Sequence, residues 1–334
     1  VKENVKIDYI DSIRAFGAVA VVLIHVSGYY VSMLSNGYGV SWNFANIVDS
    51  MSRVAVPLFY MISGFIFFNN KEPKLKNFIK ISIIIVFYSL VSIFIIKLLT
   101  IYIGESPYPI YLNLLKTPSY YHLWFLYPLI GIYIISSLVK IREKDSVRAL
   151  LIIALIFVFF NKNTASLIFT ALGVNSYFYF MLDGDFIFYL LYAISGAYIK
   201  HIKVKNSYLS LSVLMYVVSI ALISIPTSII SQSDNKIIEV SYNFNSPLVF
   251  FSAVSVFIIL KSIKVKNKIT NLLSSRSLAI YGFHAPLLLV IQSLFPYSDI
   301  NSLVGIPLIT IALIIVCLAL SEVTRFFDRW RIVS

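Results

Sequence analysis

The sequence predicts an all-α fold: a polytopic membrane helix bundle of about ten transmembrane helices with both termini cytoplasmic. Three observations predict it. Of the 334 residues, 59% are hydrophobic and only 13% charged, against about 45–50% and about 25% in a soluble domain. Apolar runs close to the ~20 residues that cross a bilayer as helix recur along the whole chain. Lysine and arginine fall unevenly between the two sides that those runs define.

The spans follow in order, at 12–33, 51–68, 78–100, 122–139, 149–161, 184–200, 207–230, 246–262, 277–294 and 304–325. The first is too long for the apolar stretch of a cleavable signal, and no small-residue cleavage site follows it. The second opens with Arg53 and carries Pro57 in its first turns, where a missing N–H costs little. The third, seventh and tenth are long and almost uninterrupted. The fourth begins at "HLWFLYPL", the sixth follows "LDGDF", the eighth follows "NFNSP", and the ninth begins behind Arg276. The fifth is the shortest. With a cytoplasmic N-terminus, the outer side holds only Arg53, Lys97, Lys116, Lys162 and Lys236. The other 22 of 27 basic residues fall inside. One span more or fewer would scramble that asymmetry. No linker, repeat or low-complexity tract divides the chain, so 1–334 reads as a single integral-membrane domain.

The same asymmetry accounts for the formal net charge of +12, so no nucleic-acid partner is expected. Cys317 is the one cysteine, which excludes an intrachain disulfide. No Walker motif is present, so the chain is not its own ATPase. No metal site is expected. The partner that the sequence requires is the lipid bilayer. A homo-oligomer is compatible with it, because lipid-facing and partner-facing apolar surfaces read alike.

Arg14 and His25 stand out in "DSIRAFGAVAVVLIHVSGYY". They are 11 residues apart, three turns plus ~20°, and so share one helix face about 16 Å apart along the axis. Asp11 joins that face one turn before Arg14. Arg14 can snorkel to the inner edge. His25 is too short and too deep to reach either interface, and an ionisable group at that depth marks a cavity or a function. A structural hydrogen bond is the plainer alternative.

Further motifs accompany it: "VPLFYMISGF" in the second span, "HLWFL" at the fourth, and "SLAIYGFHAPL" in the ninth. Together with the Arg-x10-His first span, they resemble the membrane acyltransferase-3 family. These are integral-membrane O-acyltransferases that modify surface glycans. Tyr60 departs from the pattern, standing where an apolar aromatic is more usual. The resemblance implies acetyl-CoA as donor on the cytoplasmic side. It implies a surface polysaccharide or lipid-linked glycan hydroxyl as acceptor on the outer side of a bacterial inner membrane.

In that frame His25 is the candidate catalytic residue, as general base or as acyl carrier. Arg53 can stabilise developing negative charge or bind an acceptor pyrophosphate, or it can clamp onto Asp49. Arg14 and Arg276 suit the phosphates of CoA, and equally serve as inner-edge anchors. His122, Trp124, Asp183 and Asp185 are candidate acceptor-binding residues. Trp124 also suits the interfacial belt, and helix capping can explain one of the two aspartates. For His284 a structural hydrogen bond is the expectation, and His201, in a basic loop, is expected to do no chemistry. A transporter or flippase for a lipid-linked glycan is the rival. Ion-coupled transport usually needs intramembrane carboxylates, and all 15 acids are expected at span ends or in loops.

Overall fold

The computed structural model describes residues 8–33, 38–69, 71–141, 145–162, 164, 181–263, 267–295, 297, 300–328 and 330–333. Seven of the basic residues that set the predicted orientation (Lys2, Lys6, Arg142, Lys144, Lys264, Lys266 and Arg329) lie outside them, as does most of the loop before the sixth predicted span. Among the described residues the chain is all-α, apart from one isolated bridge between Asn161 and Leu182.

The helices are α1 Asp8–Ser32, α2 Val40–Ser52, α3 Ala55–Phe67, α4 Leu75–Ile103, α5 Leu126–Leu138, α6 Ser146–Leu155, α7 Asp185–Ile199, α8 Asn206–Asp234, α9 Pro247–Ser262, α10 Lys268–Ser275, α11 Ser277–Leu294 and α12 Ser302–Phe327. A 3-10 turn, Tyr121–Phe125, leads into α5, and α6 ends in a wider π turn, Ile156–Phe160. Among the described residues, seven segments are long and apolar enough to cross a membrane: α1, Val40–Phe67, α4, Tyr121–Leu138, α8, α11 and α12. Ser146–Phe160, Asp185–Ile199 and Pro247–Ser262 are apolar but shorter. They coincide with the fifth, sixth and eighth predicted spans.

Two expectations are corrected at Val40–Phe67. The stretch before Arg53 reads as a polar outer loop, yet α2 occupies it. The reason is spacing. Trp42, Ala45, Asn46, Asp49, Ser50 and Ser52 are buried at helical intervals, and the Trp42 indole N–H donates to the Val31 carbonyl at 3.0 Å. As a result, Asp49 is a fully buried carboxylate inside a candidate span, and the expectation that every acid lies at a span end or in a loop fails there.

The chain divides into two compact units, each gathered from separate stretches. The first holds α1 up to Ile13, Arg53–Glu72 and Ile132–Lys266. Here α3 and α7 cross at two glycines. A Cβ on Gly64 would meet the Ala193 backbone, and one on Gly196 would meet the Met61 backbone. Small residues let helix backbones approach where lipid offers no hydrophobic drive. Phe157 of the π turn stacks on Phe250 of α9, with ring centroids 4.3 Å apart. The Lys261 ammonium donates to the carbonyls of Ile199, Lys200 and Ile202 at 2.6, 3.0 and 2.7 Å. That satisfies acceptors left over where α7 ends.

The second unit holds Arg14–Ser52, Pro73–Gly131 and Asn267–Ser334. Its centre is α11, packed on α4 and α12. Gly282 is where the Tyr88 ring fits against α11. The Tyr88 hydroxyl donates to the Val333 carbonyl at 2.6 Å, so α4 ties down the C-terminal tail. The amide of Ser302 donates to the Ser41 hydroxyl at 2.9 Å, joining α12 to α2.

Candidate active site

The second unit brings three of the chain's four histidines together. His25 comes from α1, His122 from the 3-10 turn and His284 from α11. The His25 and His284 rings stack with centroids 5.1 Å apart and planes 27° apart. His122 meets His284 edge-on at 5.4 Å. Tyr121 lies edge-on to His25 at 5.1 Å, and Tyr281 lies 5.6 Å from His122. His25 is partly exposed, while His122 and His284 are buried.

The backbone fixes two of the tautomers. His284 Nδ1 lies 2.7 Å from the Tyr281 carbonyl and 3.0 Å from that of Ile280. Both partners only accept, so Nδ1 carries the hydrogen and Nε2 presents a lone pair. His122 Nε2 lies 3.3 Å from the Gly282 carbonyl, so its lone pair sits on Nδ1. Both lone-pair nitrogens are buried without a hydrogen-bond partner. A buried acceptor left so costs about 1–3 kcal/mol. The Tyr281 hydroxyl donates to the backbone carbonyl of His122, which holds the 3-10 turn against α11.

A tyrosine cluster adjoins the imidazoles. Tyr108 packs edge-on to Tyr120 at 4.6 Å, and Tyr120 lies 5.5 Å from His122. Burial, and then the proximity of Tyr111 to Tyr108 and of Tyr108 to Tyr120, pushes the two phenols above the usual tyrosine value. Burial does the same to Tyr297, which lies 4.5 Å from Tyr29.

The other candidates are placed differently. Arg14 is partly exposed on α1. Arg276, at the start of α11, is nearly buried. Its Nε and Nη2 donate to Glu322 Oε1 at 2.9 and 2.6 Å, so its fork already holds a carboxylate. Trp124 sits partly buried in the same 3-10 turn as His122. His122 is packed among the imidazole and phenol rings.

Arg53, Asp183 and Asp185 belong to the first unit. Arg53 stands at the turn between α2 and α3 with its guanidinium 4.1 Å over the Tyr242 ring. Asp183 is exposed and pairs with Lys162 at 2.9 Å. Asp185 accepts from the Asn245 side-chain amide at 2.9 Å. Neither aspartate is the cap of α7. That position belongs to Gly184, whose φ of +115° suits glycine. His201 hydrogen-bonds the Asn69 side chain at 2.8 Å, a structural role.

The stacking role of His284 and the framing by Tyr121 and Tyr281 are absent from the sequence expectations. The signal was partial. His284 stands out as a buried histidine, but nothing near it in the chain points to His25. Among the described residues no group of three or more His, Cys, Asp or Glu side chains is arranged to hold a metal ion.

Taken chemically, the site offers a reachable imidazole beside two buried imidazoles that can accept a hydrogen. That suits proton movement or nucleophilic transfer at a carbonyl. Comparison with curated proteins and with solved structures gives no match. Comparison with protein families matches residues 7–322 to the acyltransferase domain of the acyltransferase-3 family. That match spans α2, the 3-10 turn and α11, takes in all of α1 from Asp8, and therefore contains every histidine of the cluster: the chain belongs to the acyltransferase-3 family.

Proposed function

We propose that the protein is a membrane O-acetyltransferase that moves an acetyl group from cytoplasmic acetyl-CoA to a sugar hydroxyl of a surface glycan. The acceptor is bound at the outer side of a bacterial inner membrane, with ten spans and both chain termini cytoplasmic. The observation that carries the reading is His25, a partly exposed imidazole on a long apolar helix, stacked on a second imidazole. Family membership supports acyl transfer as the reaction class. The stretches "GDFIFYLLYAISG" and "IYGFHAPL" also resemble the enterobacterial common antigen O-acetyltransferase. That favours an acceptor such as N-acetylglucosamine in a common-antigen-like polysaccharide.

In this reading His25 does the chemistry, and Arg53 stabilises charge developing on the acceptor side. Arg14 and Arg276 hold donor phosphates. For Arg276 this means exchanging Glu322 for a phosphate, which a planar guanidinium can grip in the same two-pronged way. His122, Trp124, Asp183 and Asp185 hold the acceptor, and the reaction uses no metal.

Asp49 favours a second reading. A fully buried carboxylate in a candidate span is a part that ion-coupled transport uses, so a transporter or flippase for a lipid-linked glycan is the alternative. One assay separates them. Inside-out vesicles are given radiolabelled acetyl-CoA, and wild type is compared with His25→Ala at matched protein levels. Label in a glycan fraction with wild type only is the expected result. Equal labelling by both removes His25 from the chemistry. No labelling by either, with the native glycan pool supplied, moves the function to transport.

A further inference from the structure

We infer that the reaction is divided between two imidazoles, with His25 carrying the acyl group and His284 Nε2 taking the proton of the acceptor hydroxyl. The inference rests on the acyltransferase reading and deepens it.

Exposure assigns the roles. A nucleophile must be touched by the acyl carbon, and His25 is the ring of the stacked pair that is partly open. A proton acceptor needs only hydrogen-bond reach, directly or through one water. His284 is fully buried against His25. Its orientation is also fixed. The carbonyls of Ile280 and Tyr281 both accept from Nδ1, which leaves Nε2 as its one basic atom. Those carbonyls keep their bonds when Nε2 gains a proton, so they orient the base as the third member of a triad does. A purely structural histidine would be expected to satisfy both nitrogens in a buried site. The Nε2 atom of His284 has no donor, and an incoming hydroxyl supplies one.

The steps balance. The lone pair of His25 forms a bond to the carbonyl carbon of the acyl thioester. The C–S bond breaks, its electron pair leaves on sulfur, and the thiolate takes the ring N–H proton of His25. The acceptor oxygen then attacks the acyl carbon while its proton passes to His284 Nε2. The C–N bond breaks, its pair returns to His25, and His284 returns the proton to that ring. Both imidazoles end neutral.

The test uses the full-length protein and the variants His284→Asn and His25→Ala. The asparagine amide can still donate to the two carbonyls, but it has no base in place of Nε2. Each protein is checked for elution as a single species and for its melting temperature. It is then given radiolabelled acetyl-CoA, first without and then with glycan acceptor, and label is read on the protein and on the glycan. The expected result is label on wild type and on H284N, none on H25A, and a loss of about 10²-fold or more in transfer for H284N. Folded H284N that transfers at the wild-type rate overturns the inference. So does folded H284N that carries no label, because His284 then serves only to shape His25. If wild type carries no label while H25A still loses transfer, His25 is not the acyl carrier: the inference fails and the acyltransferase reading stands. Transfer by H25A equal to wild type defeats both.

Discussion

Gly64 of α3 lies so close to Ala193 of α7 that a Cβ placed on it would fall 1.7 Å from the Ala193 carbonyl oxygen. The relationship is mutual, since a Cβ on Gly196 would fall 2.0 Å from the Met61 carbonyl oxygen. The obstacle in both cases is backbone, which cannot swing aside as a side chain can. Gly64→Ala and Gly196→Ala are each expected to destabilise the first unit by roughly 1–3 kcal/mol, the usual cost of overpacking. Thermal unfolding in detergent measures it. The double variant should cost less than the sum, because one shift of α3 from α7 relieves both clashes.

The Arg276–Glu322 pair ties stability to the proposed donor site. The carboxylate is 60% exposed and the guanidinium side chain 10%, so Glu322→Gln leaves a nearly buried cation with a weaker partner. A loss of about 1 kcal/mol is expected after allowance for solvent around Glu322. If Arg276 exchanges Glu322 for a donor phosphate, E322Q also lowers the KM for acetyl-CoA. An unchanged KM with a lower melting temperature makes Arg276 an anchor only.

Lys261→Met is expected to loosen the end of α7. It removes three charge-assisted bonds to carbonyls while keeping most of the side chain's volume. A loss of about 2–4 kcal/mol follows from hydrogen bonds to charged groups at about 1.5–3 kcal/mol each, discounted because they share one ammonium. Hydrogen exchange of the α7–α8 connection reads the loosening locally. Arginine should not rescue, because its planar fork cannot converge on three carbonyls as an ammonium does.

The tyrosines next to the imidazole cluster predict alkaline sensitivity. Burial raises the folded-state value of Tyr108 and Tyr120 above the unfolded value of about 10. The protonated form is therefore the one the fold prefers. Their contribution to stability is complete below about pH 10 and falls as pH rises through the folded values. A melting-temperature profile in detergent should drop above about pH 10, and Tyr120→Phe should flatten part of that drop. A profile unchanged by Y120F would mean that this phenol does not titrate with unfolding.

Apolar run length marked where helices lie, and the termini of α11 coincide with the ninth predicted span. It failed where composition and spacing disagree. The Asn- and Ser-rich stretch of α2 reads as loop by content, but it buries a helical face. At the site, the depth of His25 was legible because it depends only on its own helix. Its stacking on His284 was not, since the two are about 260 residues apart and no local pattern encodes a tertiary neighbour. The Glu322 partner of Arg276 was hidden for the same reason. Conversely, Asp183 and Asp185 looked like a pair by proximity in sequence, yet each has its own partner, Lys162 and Asn245.

The assembly of the second unit from stretches far apart in the chain has a consequence for biogenesis. Within this chain α1, with His25, is synthesised before α11, with His284. At about 5–20 residues per second, roughly 13–50 s of synthesis separate them. Throughout that interval the first helix is in place without the ring it stacks against. A stalled or truncated chain ending before α11 therefore holds His25 but no completed imidazole pair. The stacked imidazole pair thus cannot form until α11 has been made, and on the proposed division of roles a chain that stops short of α11 lacks its base.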